Sequence, residues 1–192
     1  MTSHPPILCI TGRKNSGKTE LTVGLAAELN RRGHRVMTVK HGHGFQVDQP
    51  GRDSFRHRHE GGAHRTVLAA PGDFAVVGSW PDHEMPLSEI VRRFLWDGDI
   101  VLVEGFKMAP EPNVVVFRTG AGSGPLYDPE DLFGSKTIAV VTDDVAYQAP
   151  VPVLLMSEPD HIPDLADLLE ERLMGDREIL GKDNLGKGRA EP

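Results

Sequence analysis

Apolar residues along this chain recur in two rhythms, short β-branched runs and stripes at helical spacing, and the two alternate from the N-terminus onward. Ile7 to Thr11 is the first run, bounded by Pro5-Pro6 and Gly12, and its length and β-branched content predict a buried strand. After a polar turn, Leu21, Leu25, Ala26 and Leu29 recur at helical spacing, with Gly33 as the stop. Arg35 to Lys40 predicts a second strand. Strand, loop, helix and strand in succession make a βαβ unit. Its crossover calls for an α/β fold with a doubly wound, mostly parallel sheet.

The later pattern is consistent with that class. Gly42 to Gly51 is a loop poor in apolar residues, Arg52 to Gly61 reads as a short polar helix, and Arg65 to Ala69 and Asp73 to Val77 read as strands. Met85 to Trp96 places Leu87, Ile90, Val91, Phe94 and Leu95 on one side of an amphipathic helix. Ile100 to Val103, Thr137 to Val141 and Val153 to Met156 are further strands, and Pro159 to Met174 is the closing helix. Asn113 to Arg118 precedes a glycine-rich stretch, Gly120 to Gly124, which predicts a β-hairpin excursion there. Beyond Gly175 the residues turn to Gly, Lys, Asp and Glu, so residues 1–175 are expected as one domain and 176–192 as a disordered or loosely held tail.

Between the first strand and the first helix lies Gly12-Arg13-Lys14-Asn15-Ser16-Gly17-Lys18-Thr19, which matches the phosphate-binding loop G-x-x-x-x-G-K-[ST]. Each position has a physical reason. Gly12 and Gly17 permit backbone conformations that other residues resist, so that N–H groups point inward. Those groups and the helix N-terminus, from Gly12 through Glu20, make an anion cradle. Lys18 brings an ammonium to the β- and γ-phosphates, and the Thr19 hydroxyl suits Mg²⁺, a hard cation. Strand before and helix after are the context that the motif requires. Lys14 either reaches a phosphate, directly or across a dimer interface, or remains a solvated loop lysine.

A phosphate-binding loop of this kind works with a second acidic residue at the end of a later strand. Ile100-Val101-Leu102-Val103 runs into Glu104-Gly105, making Glu104 the candidate for the metal shell and, with Lys18, for catalysis; a strand-end glutamate held in a structural ion pair is the alternative. Asp48 and Asp53, in the loop after the second strand, are expected near the same sheet edge, with Asp48 a further metal candidate. After the strand at Thr137 to Val141 stands Asp143, placed to accept hydrogen bonds from the guanine N1–H and amine, or simply to start a turn. His41 and His43 share one loop, with His57, His59 and His64 close behind, a weak zinc signal without cysteine partners.

Composition limits the partners. Lys+Arg total 21 against 28 Asp+Glu, a formal net charge of -7, which argues against nucleic acid and anionic membrane as ligands. One cysteine, Cys9, allows no intrachain disulfide, and a reducing, cytoplasmic setting fits best. No apolar run approaches the ~20 residues of a membrane-spanning helix.

Together the segments ITGRKNSGKTELTVGLAAEL, VKHGHGFQVDQPGRDSFRHRHEGGAH, DIVLVEGFK with NVVVFR, and VVTDD resemble the molybdopterin-guanine dinucleotide biosynthesis adaptor, the MobB family, from about Ile7 to Met174. A lysine-histidine pair ending the second strand, followed by D-x-P-G-x-D-S, is its most diagnostic part, and VEGFK is an independent marker. The resemblance implies a homodimeric P-loop GTPase of the SIMIBI class that binds GTP with Mg²⁺, hydrolyses it slowly and assists MobA, the guanylyltransferase that attaches GMP to molybdopterin. It also raises the molybdopterin cofactor itself as a ligand. By position it assigns the phosphates to Gly12–Thr19, the second acidic motif to Glu104, and the phosphate or cofactor end to Asp48 and Asp53. Two other readings stay open: an ATP-dependent ligase or kinase similar to dethiobiotin synthetase, its acceptor pocket lined by Lys40, His41 and Lys107, and a metallochaperone GTPase using the histidines.

Overall fold

A computed structural model describes residues 4–42, 44–45, 47–121, 127–128 and 134–175, in two compact units, one of residues 42–89 and one of the rest. The expected tail lies outside the described residues.

The larger unit is built on six strands: β1 (Ile7–Gly12), β2 (Val36–Lys40), β5 (Ile100–Glu104), β6 (Asn113–Phe117), β7 (Thr137–Thr142) and β8 (Val153–Leu155). They lie in the order β2-β5-β1-β6-β7-β8, every pairing parallel. All six residues of β1 are buried, as are four of five in β5 and in β6. Such unbroken apolar runs are the mark of strands covered on both faces. On one face α1 (Lys18–Arg31) contributes Leu21, Leu25 and Leu29, and α4 (His161–Leu169) contributes Leu165, Ala166 and Leu169, against Leu8, Ile10 and Leu102 of the sheet. The expected helix to Met174 is α-helical only to Leu169 and finishes in a π turn, Glu170–Met174. Cys9 lies inside β1, and burial, with Glu111 nearby, pushes its thiol up to about 12, so it is a core residue.

An ionic clamp joins α1 to α4. Arg32 donates to Glu28 at 2.7 Å, to Asp167 at 2.5 Å and to Glu170 at 2.6 Å, and His34 Nε2 lies 2.6 Å from Glu170.

In the smaller unit, α2 (Asp53–His59) precedes an antiparallel pair, β3 (Arg65–Ala69) and β4 (Phe74–Gly78). A third helix, α3 (Leu87–Phe94), begins in this unit and ends in the larger one. The hairpin expected at Asn113 to Arg118 is therefore misplaced, because that stretch is β6, a central parallel strand between β1 and β7. NVVVF is apolar throughout, as a doubly covered strand must be. The true hairpin turns at Pro71-Gly72, a strong turn signal between two apolar runs. Among the described residues no helix is long and apolar enough to cross a membrane.

Candidate functional site

At the C-terminal end of β1 the chain turns sharply. Gly12 has φ 153°, and a Cβ there would stand 2.4 Å from the Val116 carbonyl oxygen and 2.7 Å from Ser16 Oγ. Asn15 at φ 62° and Gly17 at φ 98° also take left-handed conformations, which turn the backbone inward. Gly17 is the N-cap of α1 and has no side chain to cap it, so the first amides of the helix stay open to an anion. Ser16 is almost fully buried in this loop, and its hydroxyl has no hydrogen-bond partner. A buried hydroxyl left unpaired costs ~1–3 kcal/mol, which a bound phosphate oxygen would recover. Lys18 folds back so that its Nζ donates to the Arg13 carbonyl at 2.6 Å. Burial lowers the Lys18 pKa; Glu104 raises it, while Lys107 and Lys40 lower it further.

Thr19 and Glu104, two residues the sequence offers for a metal shell beside the loop, are in contact. Thr19 Oγ1 donates to both carboxylate oxygens of Glu104, at 3.0 and 3.1 Å. Glu104 ends β5 and lies level with Lys40 in the β2–β5 register, and Lys40 Nζ is 2.5 Å from its Oε1. A hydroxyl and a carboxylate meeting at the cradle mouth are the hard oxygen donors that Mg²⁺ takes. Sequence reasoning placed Lys40 in an acceptor pocket but did not pair it with Glu104. Beyond the glutamate the backbone is tight: Gly105 has φ 102° and Phe106 φ 51°, and the Phe106 ring sits 4.4 Å from the His41 ring.

On the opposite side, Asp143 Oδ1 accepts the Thr119 N–H at 2.7 Å and ties the end of β7 to that of β6. Next to Thr119, Arg118 lines a cavity of about 280 Å³ with Lys14, Asn15, Gly120 and Ala121. Sequence reasoning missed Arg118 because only the adjacency of β6 and β1 brings it to the loop.

Asp48 and Asp53 belong to the smaller unit. Asp48 accepts from Ser54 Oγ at 2.7 Å and pairs with Arg58 at 3.5 Å, and Asp53 opens α2. Of the histidines, His59 stacks on Phe55 and His43 lies outside the described residues. Among the described residues no three His, Cys, Asp or Glu side chains cluster to hold a metal.

Residues 7–143 match the family model described as "MobB: Molybdopterin guanine dinucleotide synthesis protein B". The chain belongs to the MobB family. It is 33% identical over 162 residues to the Escherichia coli molybdopterin-guanine dinucleotide biosynthesis adapter protein, covering 83% of this chain and 90% of that one. To the Haemophilus influenzae protein of the same name it is 34% identical over 175 residues, covering 90% and 92%. Its structure is similar to that of a MobB homologue from Bacillus stearothermophilus, with TM-score 0.64 and 26% identity over 86% of this chain and 99% of that chain.

Proposed function

We propose that this chain binds GTP with Mg²⁺ in the Gly12–Thr19 loop and serves as an adapter in molybdopterin guanine dinucleotide biosynthesis. Family membership supports the pathway. One observation carries the nucleotide: Thr19 and Glu104 are paired at the mouth of a loop whose buried Ser16 hydroxyl has no partner. When bound, magnesium supplies charge neutralisation at the β- and γ-phosphates, with Thr19 and Glu104 as the residues that would hold it. Lys18 leaves the Arg13 carbonyl for the phosphates, and the backbone from Arg13 to Glu20 lines them. Asp143 is assigned to the nucleoside end in this reading.

Hydrolysis is slow in this reading, because no arginine finger or water-positioning glutamine stands in a recognisable motif, and arginine fingers are worth ~10³–10⁵ in rate. The adapter works in the cytoplasm as a homodimer, its nucleotide state read by a MobA-type guanylyltransferase or by molybdopterin itself. The hairpin supports the dimer: Val67, Phe74 and Val76 share one face of β3–β4 and are 64%, 73% and 43% exposed.

Titration calorimetry with GTP and ATP, with and without Mg²⁺, tests the reading. Tighter binding of GTP is the expected result. A wild-type protein that takes up neither nucleotide would end it.

A further inference from the structure

We propose that Arg118 is the residue that reads the purine and selects guanine over adenine; the inference rests on the GTP reading above. The sheet edge has a direction. In strand order it presents Lys40 on β2, Glu104 on β5, the Gly12–Thr19 loop after β1, Arg118 after β6, Asp143 after β7 and Met156 after β8. A triphosphate in the loop has its metal-binding β–γ end at Thr19 and Glu104, on the β5 side. Its nucleoside therefore leaves toward β6.

Arg118 waits on that side. Its Nη2 lies 3.4 Å from where a Cβ on Gly17 would stand, with the Glu20 carboxylate 3.9 Å from the same point. The cavity it lines, about 280 Å³, is close to the lower end of ligand pockets. Its donors are largely unspent. Among the described residues its hydrogen bond is to Met156 Sδ at 3.5 Å, and a thioether is a weak acceptor.

A guanidinium presents N–H donors in a rigid planar fork. Guanine offers that fork two adjacent acceptors, O6 and N7, whereas adenine puts an amine donor where O6 would be. The fork gains two hydrogen bonds on guanine and meets donor against donor on adenine. Asp143 supports this arrangement by holding the neighbouring Thr119 amide.

Calorimetry with GTP, ATP and inorganic tripolyphosphate, each with Mg²⁺, on the full chain and on Arg118→Ala and Arg118→Lys tests the assignment. Because the Arg118 side chain is exposed, both variants are expected to fold. In Arg118→Ala, GTP should weaken about tenfold or more, the size of a lost bidentate base contact, while ATP and tripolyphosphate change little. Arg118→Lys keeps the charge without the fork and should lose the preference too. An unchanged GTP-to-ATP ratio in Arg118→Ala, or in Arg118→Lys, overturns the assignment. So does a parallel loss of tripolyphosphate, which would make Arg118 a phosphate cation. Wild type that binds GTP no better than tripolyphosphate overturns the GTP reading itself, before any variant is compared.

Discussion

The six-stranded unit and the unit of residues 42–89 hold together by opposite means. In the first, β1 and β5 carry residues with no exposed surface at Leu8, Ile10, Ile100, Val101, Leu102 and Val103, and two helices seal one face. In the second, Ser54, Thr66 and Leu87 are the described residues that are buried, each still 5–9% exposed, and one face of the hairpin is open. A lone two-stranded sheet is marginal in water. In the function proposed above, the contrast divides the labour: the buried sheet fixes the loop and strand-end groups assigned to the nucleotide, and the exposed hairpin face is the surface assigned to a second copy.

The largest test of that contrast is thermodynamic. Leu102→Ala removes a fully buried side chain and should cost ~2–5 kcal/mol in urea unfolding. Val67→Ala, at a side chain 64% exposed, should stay within about 0.5 kcal/mol. Equal losses would mean that the hairpin is as tightly packed as the sheet.

Ligand binding should separate the units next. Lys18→Ala loses a charge-assisted contact worth ~1.5–3 kcal/mol, roughly ten- to hundredfold in nucleoside triphosphate affinity by calorimetry. Val67→Asp with Phe74→Asp should leave that affinity unchanged and convert a dimer to a monomer by light scattering; a wild-type monomer would sink the dimer outright. Glu104→Gln sharpens the site from within. It should lower magnesium-dependent hydrolysis about 10–100-fold while binding falls less, and equal hydrolysis would leave Glu104 a purely structural partner of Lys40 and Thr19.

How much of this was legible follows the range of each interaction. The β1–loop–α1 segment is local: a β-branched run, a glycine-bounded turn and a helical stripe follow one another, and the structure reproduces them within a residue. Glu104 was legible because a carboxylate ending an apolar strand needs a partner. The pairing of Lys40 with Glu104 was not, since it depends on β2 and β5 being neighbours although the two residues are 64 positions apart in sequence. Arg118 was hidden for the same reason. The hairpin was misplaced because the glycine-rich stretch after Phe117 outweighed Pro71-Gly72, although the unbroken apolar run of β6 argued for the sheet interior.

The smallest expected effect lies in the clamp between α1 and α4, formed by Glu28, Arg31, Arg32, His34, Asp167 and Glu170. Hydrogen bonds from Arg31 and Arg32 hold the Glu28 carboxyl at about 2, and Glu170, which burial alone would raise, is lowered by hydrogen bonds from His34 and Arg32. A carboxyl lowered by folding stabilises the native state above its unfolded value and loses that contribution as pH falls through the folded one. The contribution should therefore be complete above the ordinary glutamate value of 4.5 and fade toward about 2. Arg32→Met should be less stable than wild type at pH 7, and the gap should close over that window in urea unfolding followed by far-UV circular dichroism. A gap that stays constant down to pH 2 would mean that Arg32 stabilises the helices through its aliphatic stem alone.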